Sequence, residues 1–395
     1  MTGWPQIRLD DCCEIVGGAT PSTSIAAYWD GDICWATPKD LSDLEGAYIS
    51  DTPRKLTTHG LANCGANILP AGSVLFSSRA PIGHVAVNTV PMATNQGFKS
   101  FIPQPGRVHA KFLYHWLRTN RAYLESLGNG ATFKEVSKAV VSRIEVPLPP
   151  LPEQRRIAEV LDRAEALRAK RRAALAQLDT LTQSIFLDLF GDPVTNPKGW
   201  KVEKLGNFAE RITKGESPKW QGFEYQDDGA LFVTSENVRL GAIDLSAPKF
   251  VPLEFNSKLS RSELRPGDLL VNLVGASIGR SCIFPGYNRP ANINQAVAVV
   301  TIDKSRLDHV FLSGLLVSER GQQLLLNNRV EGARANISLT DLRELPVPVP
   351  PVPLQHQFAR RIAAVDKLKS AHRASLAKLD ALFASLQHRA FRGEL

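Results

Sequence analysis

Nothing in this sequence of 395 residues comes near the roughly 18 consecutive apolar residues that a bilayer-spanning helix needs. The opening MTGWPQIRLDD has no apolar core of the signal-peptide kind. Cysteine is scarce: Cys12, Cys13, Cys34, Cys64 and Cys282 make an odd number, four of them in the first half and none in a C-x-x-C pair. That excludes a disulfide framework and a cysteine zinc cluster, and it fits a reducing compartment. The eight histidines are scattered without metal-ligand spacing. Together these absences predict a soluble cytoplasmic protein without metal.

Catalytic signatures are missing as well. There is no G-x-x-x-x-G-K-[ST] phosphate loop and no H-E-x-x-H. GNGATF (Gly128–Phe133) begins like a dinucleotide fingerprint but follows a helical pattern rather than a strand, so it reads as a helix stop. No Asn-Pro-Pro-aromatic or Asp-Pro-Pro-aromatic motif is present, and pairs such as Lys39-Asp40 are too common to mark a nuclease.

What the chain does have is positive charge and a repeat. The formal net charge is +8, which favours a polyanionic partner, nucleic acid before membrane. Hydrophobic residues make up 43%, enough for more than one core. VPLPPLPEQRRIAEVLDRAEALRAKRRAALAQLDTLTQSIFLDLF (Val146–Phe190) returns as VPVPPVPLQHQFARRIAAVDKLKSAHRASLAKLDALFASLQHRAF (Val347–Phe391) at a constant offset of 201 without a gap. The preceding stretches repeat too, with drifting offsets. Gly3-Trp4 answers to Gly199-Trp200, WATPKDL (Trp35–Leu41) to FVTSENV (Phe232–Val238), LPAGSVLFS (Leu69–Ser77) to LRPGDLLVN (Leu264–Asn272), TNQGF (Thr94–Phe98) to INQAV (Ile293–Val297), and FLYHWL (Phe112–Leu117) to FLSGLL (Phe311–Leu316). A repeat at half the chain length predicts two copies of one unit.

Each copy begins with short strands. Pro70-Ala71-Gly72 reads as a turn before a buried strand at Val74–Phe76, and alternation at Val85 and Val87 predicts a half-buried one. Phe112, Leu113, Trp116, Leu117 and Leu124 predict one amphipathic helix over 110–127. Prolines 147, 149, 150 and 152 favour extended backbone, and Pro152 suits a first helical turn. From Glu153 to Leu189 there is neither proline nor glycine, which predicts a helix of about 55 Å. Its 3-4 stripe runs through Ile157, Leu161, Ala164, Leu175, Leu178, Ile185 and Leu189; the second helix carries Phe358, Ile362, Val365, Leu368, Leu376, Leu379, Leu382 and Leu386. Such stripes pair with each other or with a partner's helices, in either direction; Ile157, Leu161, Leu175, Leu178, Phe358, Ile362, Leu376 and Leu379 are the candidates for partner docking. A helix turns its face by about 100° per residue, so a preserved register means that one face and one length are in use. The expected divisions are 1–150, first globular domain; 151–190, first spacer helix; 191–198, linker; 199–350, second globular domain; and 351–395, second spacer helix.

Side chains that suit base and phosphate contacts stand in turn-flanked positions. In the first domain they are Lys39, Arg54, Lys55, Arg79, Asn95, Gln96, Lys99 and Lys134. In the second they are Lys214, Lys219, Asn237, Asn272, Arg280, Asn294, Gln295, Arg334 and Asn336. Asn95-Gln96 and Asn294-Gln295 recur at equivalent places, which suits either DNA reading or a structural turn common to both copies.

Two diverged domains, each followed by a proline-led helix of the PLPPLPEQRRIA type (Pro147–Ala158), resemble the specificity subunit of a Type I restriction-modification system. SSRAPIG (Ser77–Gly83) and TNQGFKSF (Thr94–Phe101) resemble segments of that family's target-recognition domains. The second copy departs from the helix motif, with Leu354 where Glu153 stands and His356 where Arg155 stands. The resemblance implies an α+β fold: two similar globular target-recognition domains separated by two long antiparallel coiled-coil helices, with an internal pseudo-twofold repeat. It implies that each domain reads one half of a bipartite site in double-stranded DNA. The helices then set the gap and dock two modification subunits, which methylate adenine, with two motor-nuclease subunits joining where a restriction function exists. The chain itself is expected to be non-catalytic and to hold no cofactor; S-adenosylmethionine, ATP and Mg belong to the partner subunits. The rival readings are a stand-alone methyltransferase or nuclease with unrecognised motifs, and a coiled-coil adaptor without DNA affinity.

Overall fold

The proline staircases do two jobs in succession. Glu145–Pro147 pairs antiparallel with Gln6–Arg8, and Pro346–Val349 with Lys201–Lys204, as isolated two-stranded ribbons where a missing N–H is tolerated. The following prolines then lead into helices, Leu151–Phe190 and Val352–Ala390, of 40 and 39 residues. These facts come from a computed structural model of the chain, which describes residues 4–79, 81–130, 134–326 and 336–395. It divides into two compact units, Met1–Arg172 with Ala374–Leu395, and Ala173–Arg373. Each unit therefore takes part of both long helices.

In the first unit the main sheet runs in the order Cys13–Gly17, Lys99–Pro103, Val74–Phe76, Val85–Asn88, Tyr48–Ile49. In the second it runs Ala209–Lys214, Val297–Ile302, Leu269–Asn272, Ser281–Ile283. The second order repeats the first without its edge strand. A smaller sheet repeats as well. Trp29–Ala36 lies antiparallel to Lys55–Leu56 and parallel to Ala93–Thr94. Likewise Ala230–Val233 lies antiparallel to Phe250–Val251 and parallel to Ala291–Ile293. One topology thus occurs twice, as the repeat predicts. Val74–Phe76 is a fully buried strand, but Val85–Asn88 is buried at every position instead of alternately, because both its faces are covered: Val85 and Val87 pack in one core cluster and Ala86 in another, while Asn88 donates to the carbonyls of Pro70 and Val90 (both 2.9 Å).

The amphipathic segment expected over 110–127 is two helices, Ala110–Thr119 and Arg121–Ser126. Asn120 separates them. Its side chain donates to the Trp116 carbonyl at 2.9 Å, a local bond that competes with the helical ladder.

Within each unit the two long helices lie antiparallel. In the first, Arg156 donates to the Leu395 carbonyl and Arg168 meets Asp380 at 2.6 Å, so partners fall as numbers rise. The Arg168 guanidinium also covers the Phe383 ring at 4.3 Å, which fills the charged break in the stripe. In the second, Lys369 pairs with Asp179 at 2.8 Å and Phe358 packs edge-on to Phe186. The stripe differs from the expected one at two places. Leu368 and Leu382 are half exposed, and their neighbours Lys369 and Phe383 take the inward positions. Ile157 and Leu161 are buried with Phe112, Ala164, Phe383 and Ala390. Phe358 and Ile362 are buried in the second unit's own core. Leu175, Leu178, Leu376 and Leu379 are partly covered.

The proline-glutamine step has a common purpose in both copies. Gln154 Oε1 accepts the His109 N–H at 2.8 Å while its amide donates to the Arg107 and Pro149 carbonyls. Gln355 Oε1 accepts the Asp308 N–H at 2.7 Å while its amide donates to the Pro350 carbonyl. Both glutamines are wholly buried. Each ties the start of a long helix to the start of the domain helix before it, Ala110–Thr119 or His309–Val317. The linker is structured: Gly191 has φ +80°, Lys198 donates to the Asp188 and Leu189 carbonyls, and Trp200 donates to the Phe190 carbonyl.

Candidate nucleic-acid interface

A loop cluster forms where the two sheets of each unit meet. In the first unit Gly18 crosses directly over the backbone of Thr94 and Asn95. The Asn95 N–H donates to Ala36, the Ser78 N–H donates to Gly97, and the Val136 N–H donates to Ser78. Loops near residues 18–20, 36–40, 78–79, 95–97 and 134–136 are thereby held together. In the second unit Gly215 crosses over Ile293 and Asn294, Asn294 N–H donates to Val233, Leu273 to Ala296, and Ile337 to Leu273. The same frame is built twice.

Its turns are set by short side chains. Thr37 and Asp40 close a reciprocal capping box at the helix Pro38–Ser42. Asn237 plays the Asp40 part, its Oδ1 accepting from the Thr234 N–H at 2.8 Å and its amide donating to the Asp244 carbonyl. Asn95 Oδ1 accepts the Gly97 N–H at 2.9 Å, and Asn294 Oδ1 accepts the Ala296 N–H at 3.1 Å. Those oxygens are the ones a carboxamide would turn toward the adenine amino group. Both asparagines thus close the turn, so the turn reading that the sequence offered is present in each copy.

Around this frame Lys39, Lys134, Lys214 and Lys219 are exposed. Lys99 is paired with Glu135 at 3.2 Å. Arg79 joins the same place through a backbone bridge to Glu135, and Asn336 through one to Val274. Gln96 is exposed and accepts from the Thr20 hydroxyl, whereas Gln295 Oε1 is enclosed without a hydrogen bond. Arg280 is half-buried in the adjoining turn. Two residues lie elsewhere: Arg54 on the small sheet, its guanidinium 3.7 Å from the Trp29 ring centroid, and Lys55, paired with Asp51 at 3.0 Å. Asn272 is a correction. It is wholly buried and donates to the Ser235 carbonyl and Ser277 hydroxyl, so it holds the frame from inside and has no face for a base. Arg334 lies outside the described residues.

Sequence reasoning passed over the two crossing glycines. Their signal was present as G-x-[TS]-P, at Gly18–Pro21 and Gly215–Pro218. Among the described residues, no group of three or more His, Cys, Asp or Glu side chains is placed to hold a metal ion, and no helix is long and apolar enough to cross a membrane.

In the first unit titratable groups couple the domain helix to the long helix. His115 and Lys111 both reach Asp162 Oδ1, at 2.7 and 2.8 Å, and Arg118 joins Glu165 and the Tyr114 hydroxyl. The repeat puts Gly314 where His115 stands. Burial pushes the His115 imidazole below its usual pKa, against the pull of Asp162, so it stays neutral with Nε2–H donating. Partial burial raises the Asp162 carboxyl, but the bonds from His115 and Lys111 and the Lys111 charge outweigh it and hold it below the ordinary value. Both shifts have one sign. The unfolded chain takes up protons first, at about pH 6.5 for histidine and about 4 for aspartate, so stability falls as pH drops through those windows. Denaturant midpoints of the first unit should decline from pH 7 to pH 5, and His115→Gln should flatten that slope. An unchanged slope in the variant would remove His115 from the account.

A family model described as the Type I restriction modification DNA specificity domain matches residues 1–177 and 197–380. The Type I restriction enzyme MjaIX specificity subunit of Methanocaldococcus jannaschii is 36% identical over 233 residues, 55% of this chain and 54% of that protein, so the match spans about half the relative's length. The EcoBI specificity subunit of Escherichia coli is 28% identical over 338 residues, 77% of this chain and 70% of that protein. The solved S subunit from M. genitalium has the same fold, with a TM-score of 0.60 at 13% identity, covering 99% of this chain and 96% of that one. A chain from a structural study of type I R-M complex assembly gives 0.61 at 20% identity, covering 100% and 98%. With two tandem matches over most of its length, the chain belongs to the family of Type I restriction-modification DNA specificity proteins.

Proposed function

We propose that this chain is the sequence-reading component of a Type I restriction-modification complex, each unit reading one half of a bipartite double-stranded DNA site. The observation that carries this is one loop frame built twice and furnished differently. Arg79 stands where Val274 stands in the second copy, Asp40 where Asn237 stands, and the Gln96 carbonyl is hydrogen-bonded where that of Gln295 is not. A constant scaffold with variable polar groups is what two independent readers need. Exposed lysines on both frames supply phosphate contacts. The two long helices set the gap between half-sites and dock two modification subunits. Methyl transfer to adenine with S-adenosylmethionine, and any ATP- and Mg-dependent cleavage, are the work of those partners and of restriction subunits, in the cytoplasm.

The test is the methylome of a host carrying the complete system. A bipartite motif is expected. Deleting four residues within Ala169–Ala176, about one helical turn, should shorten the gap by about one or two base pairs and spare both halves. Altered half-sites would sink the spacer role. Methyl transfer by the purified chain alone would favour the rival, a stand-alone enzyme.

A further inference from the structure

Trp220 is the most exposed large hydrophobic residue among those described, 74% accessible. The chain's other tryptophans are covered to a far greater degree; Trp29, Trp35 and Trp116 are all buried. A single exposed hydrophobic residue is ordinary, but an indole held on a turn between two exposed lysines has the geometry for ring–base contact. Trp220 sits at the middle of the single turn Lys219–Gln221. Pro218 leads into that turn, and Gly222, at φ +81°, leads out of it. From beneath it is braced by Glu216, which accepts from both Gln221 and Arg261. The ring is therefore displayed on a fixed support.

Its place in the fold says what it meets. The turn begins immediately after Gly215–Pro218, the segment that crosses the Asn294 loop, so it continues the loop cluster of the second unit. Lys214 and Lys219 flank it and are exposed. Counting from the shared G-x-[TS]-P step, the first copy has Thr23 at this position. The aromatic thus belongs to one reader only. The loop is not basic as a whole. Glu216 is neutralised by Arg261 and Asp228 by Arg289, while Glu224 and Asp227 are exposed further along. Whatever Trp220 contributes is then ring contact and not added positive charge.

We propose that Trp220 is a DNA wedge of the second unit, its indole packed against a base step of the half-site that this unit reads. This rests on the reading of the chain as a DNA-recognition component. Aromatic wedges of this kind partly unstack a step, and ring–base contact is tolerant of neighbouring sequence.

The experiment uses the assembled complex with its modification subunits and a duplex carrying the site that the methylome defines. Trp220→Ala should weaken binding about tenfold or more, by the same factor at every salt concentration, because no phosphate contact is lost. Lys219→Ala should instead reduce the salt slope by about one. Trp220→Phe should retain most of the affinity. With 2-aminopurine placed in turn along the second half-site, wild-type complex should raise emission at one step, and Trp220→Ala should not. Equal affinity of Trp220→Ala and wild type, with no position lit by wild type, would overturn the wedge and leave DNA recognition standing. A wild-type complex that shows no site-specific, salt-dependent binding would overturn the recognition reading itself.

Discussion

Phe186→Ala should unfold the second unit under conditions where the first stays folded. Phe186 is 2% exposed at the centre of a knot of four rings. Its centroid lies 5.1 Å from Phe190, 5.8 Å from Phe311 and 5.6 Å from Phe358. Those rings come from both long helices and from the domain helix His309–Val317, so one side chain joins three elements. Gly314 makes the closure possible: a Cβ there would stand 2.8 Å from the Phe358 ring and 3.2 Å from Phe186. Removing a buried phenyl ring from such a site costs about 3–5 kcal/mol, since the rings around it cannot collapse into the gap. A domain has about 5–15 kcal/mol in all. Denaturation followed by proteolysis should show early cleavage within 173–373 and late cleavage before 172. Coincident transitions, unchanged from wild type, would mean that the knot does not hold the long helices to this unit.

How far the sequence foretold this can be judged at individual residues. The repeat was visible because its register in the long helices never slips, and the sheets proved to repeat as well. The roles within the repeat were harder to see. Gln154 and Gln355 look like surface polar residues of a helix, yet both are buried clamps, and only the geometry of a helix start beside another reveals three hydrogen bonds on one amide and two on the other. Asn95 and Asn294 advertised recognition chemistry, and in the structure each closes its own turn, because a short carboxamide readily reaches the N–H two residues on. Leu368 and Leu382 fit an ideal stripe, but Lys369 pairs with Asp179 and Phe383 packs under Arg168, and specific contacts displaced the ideal spacing. Glycine carries no periodic signal at all, so the crossings at Gly18 and Gly215 were legible only as a repeated motif.

Gly215→Ala should abolish recognition of one half-site while sparing the other. The reason is close approach rather than backbone freedom: Gly215 is absent from the positive-φ residues, and an added Cβ would land on the Ile293 carbonyl and crowd that of Asn294. Neither neighbour can yield. Ile293 is wholly buried, hydrogen-bonded in the small sheet beside Val233, and Asn294 closes the turn to Ala296. The loop holding Lys214, Lys219 and Trp220 must therefore lift off the frame, at about 3 kcal/mol or more of local strain. Gly18→Ala is the mirror experiment, because a Cβ there meets the Thr94 and Asn95 carbonyls in the same way. On duplexes in which one half-site at a time is scrambled, Gly215→Ala complex should lose about a hundredfold in discrimination at its own half and keep normal discrimination at the other, and Gly18→Ala should do the reverse. If either variant damaged both halves equally, the two frames would not be independent readers. If both variants bound as wild type does, these crossings would lie away from the DNA.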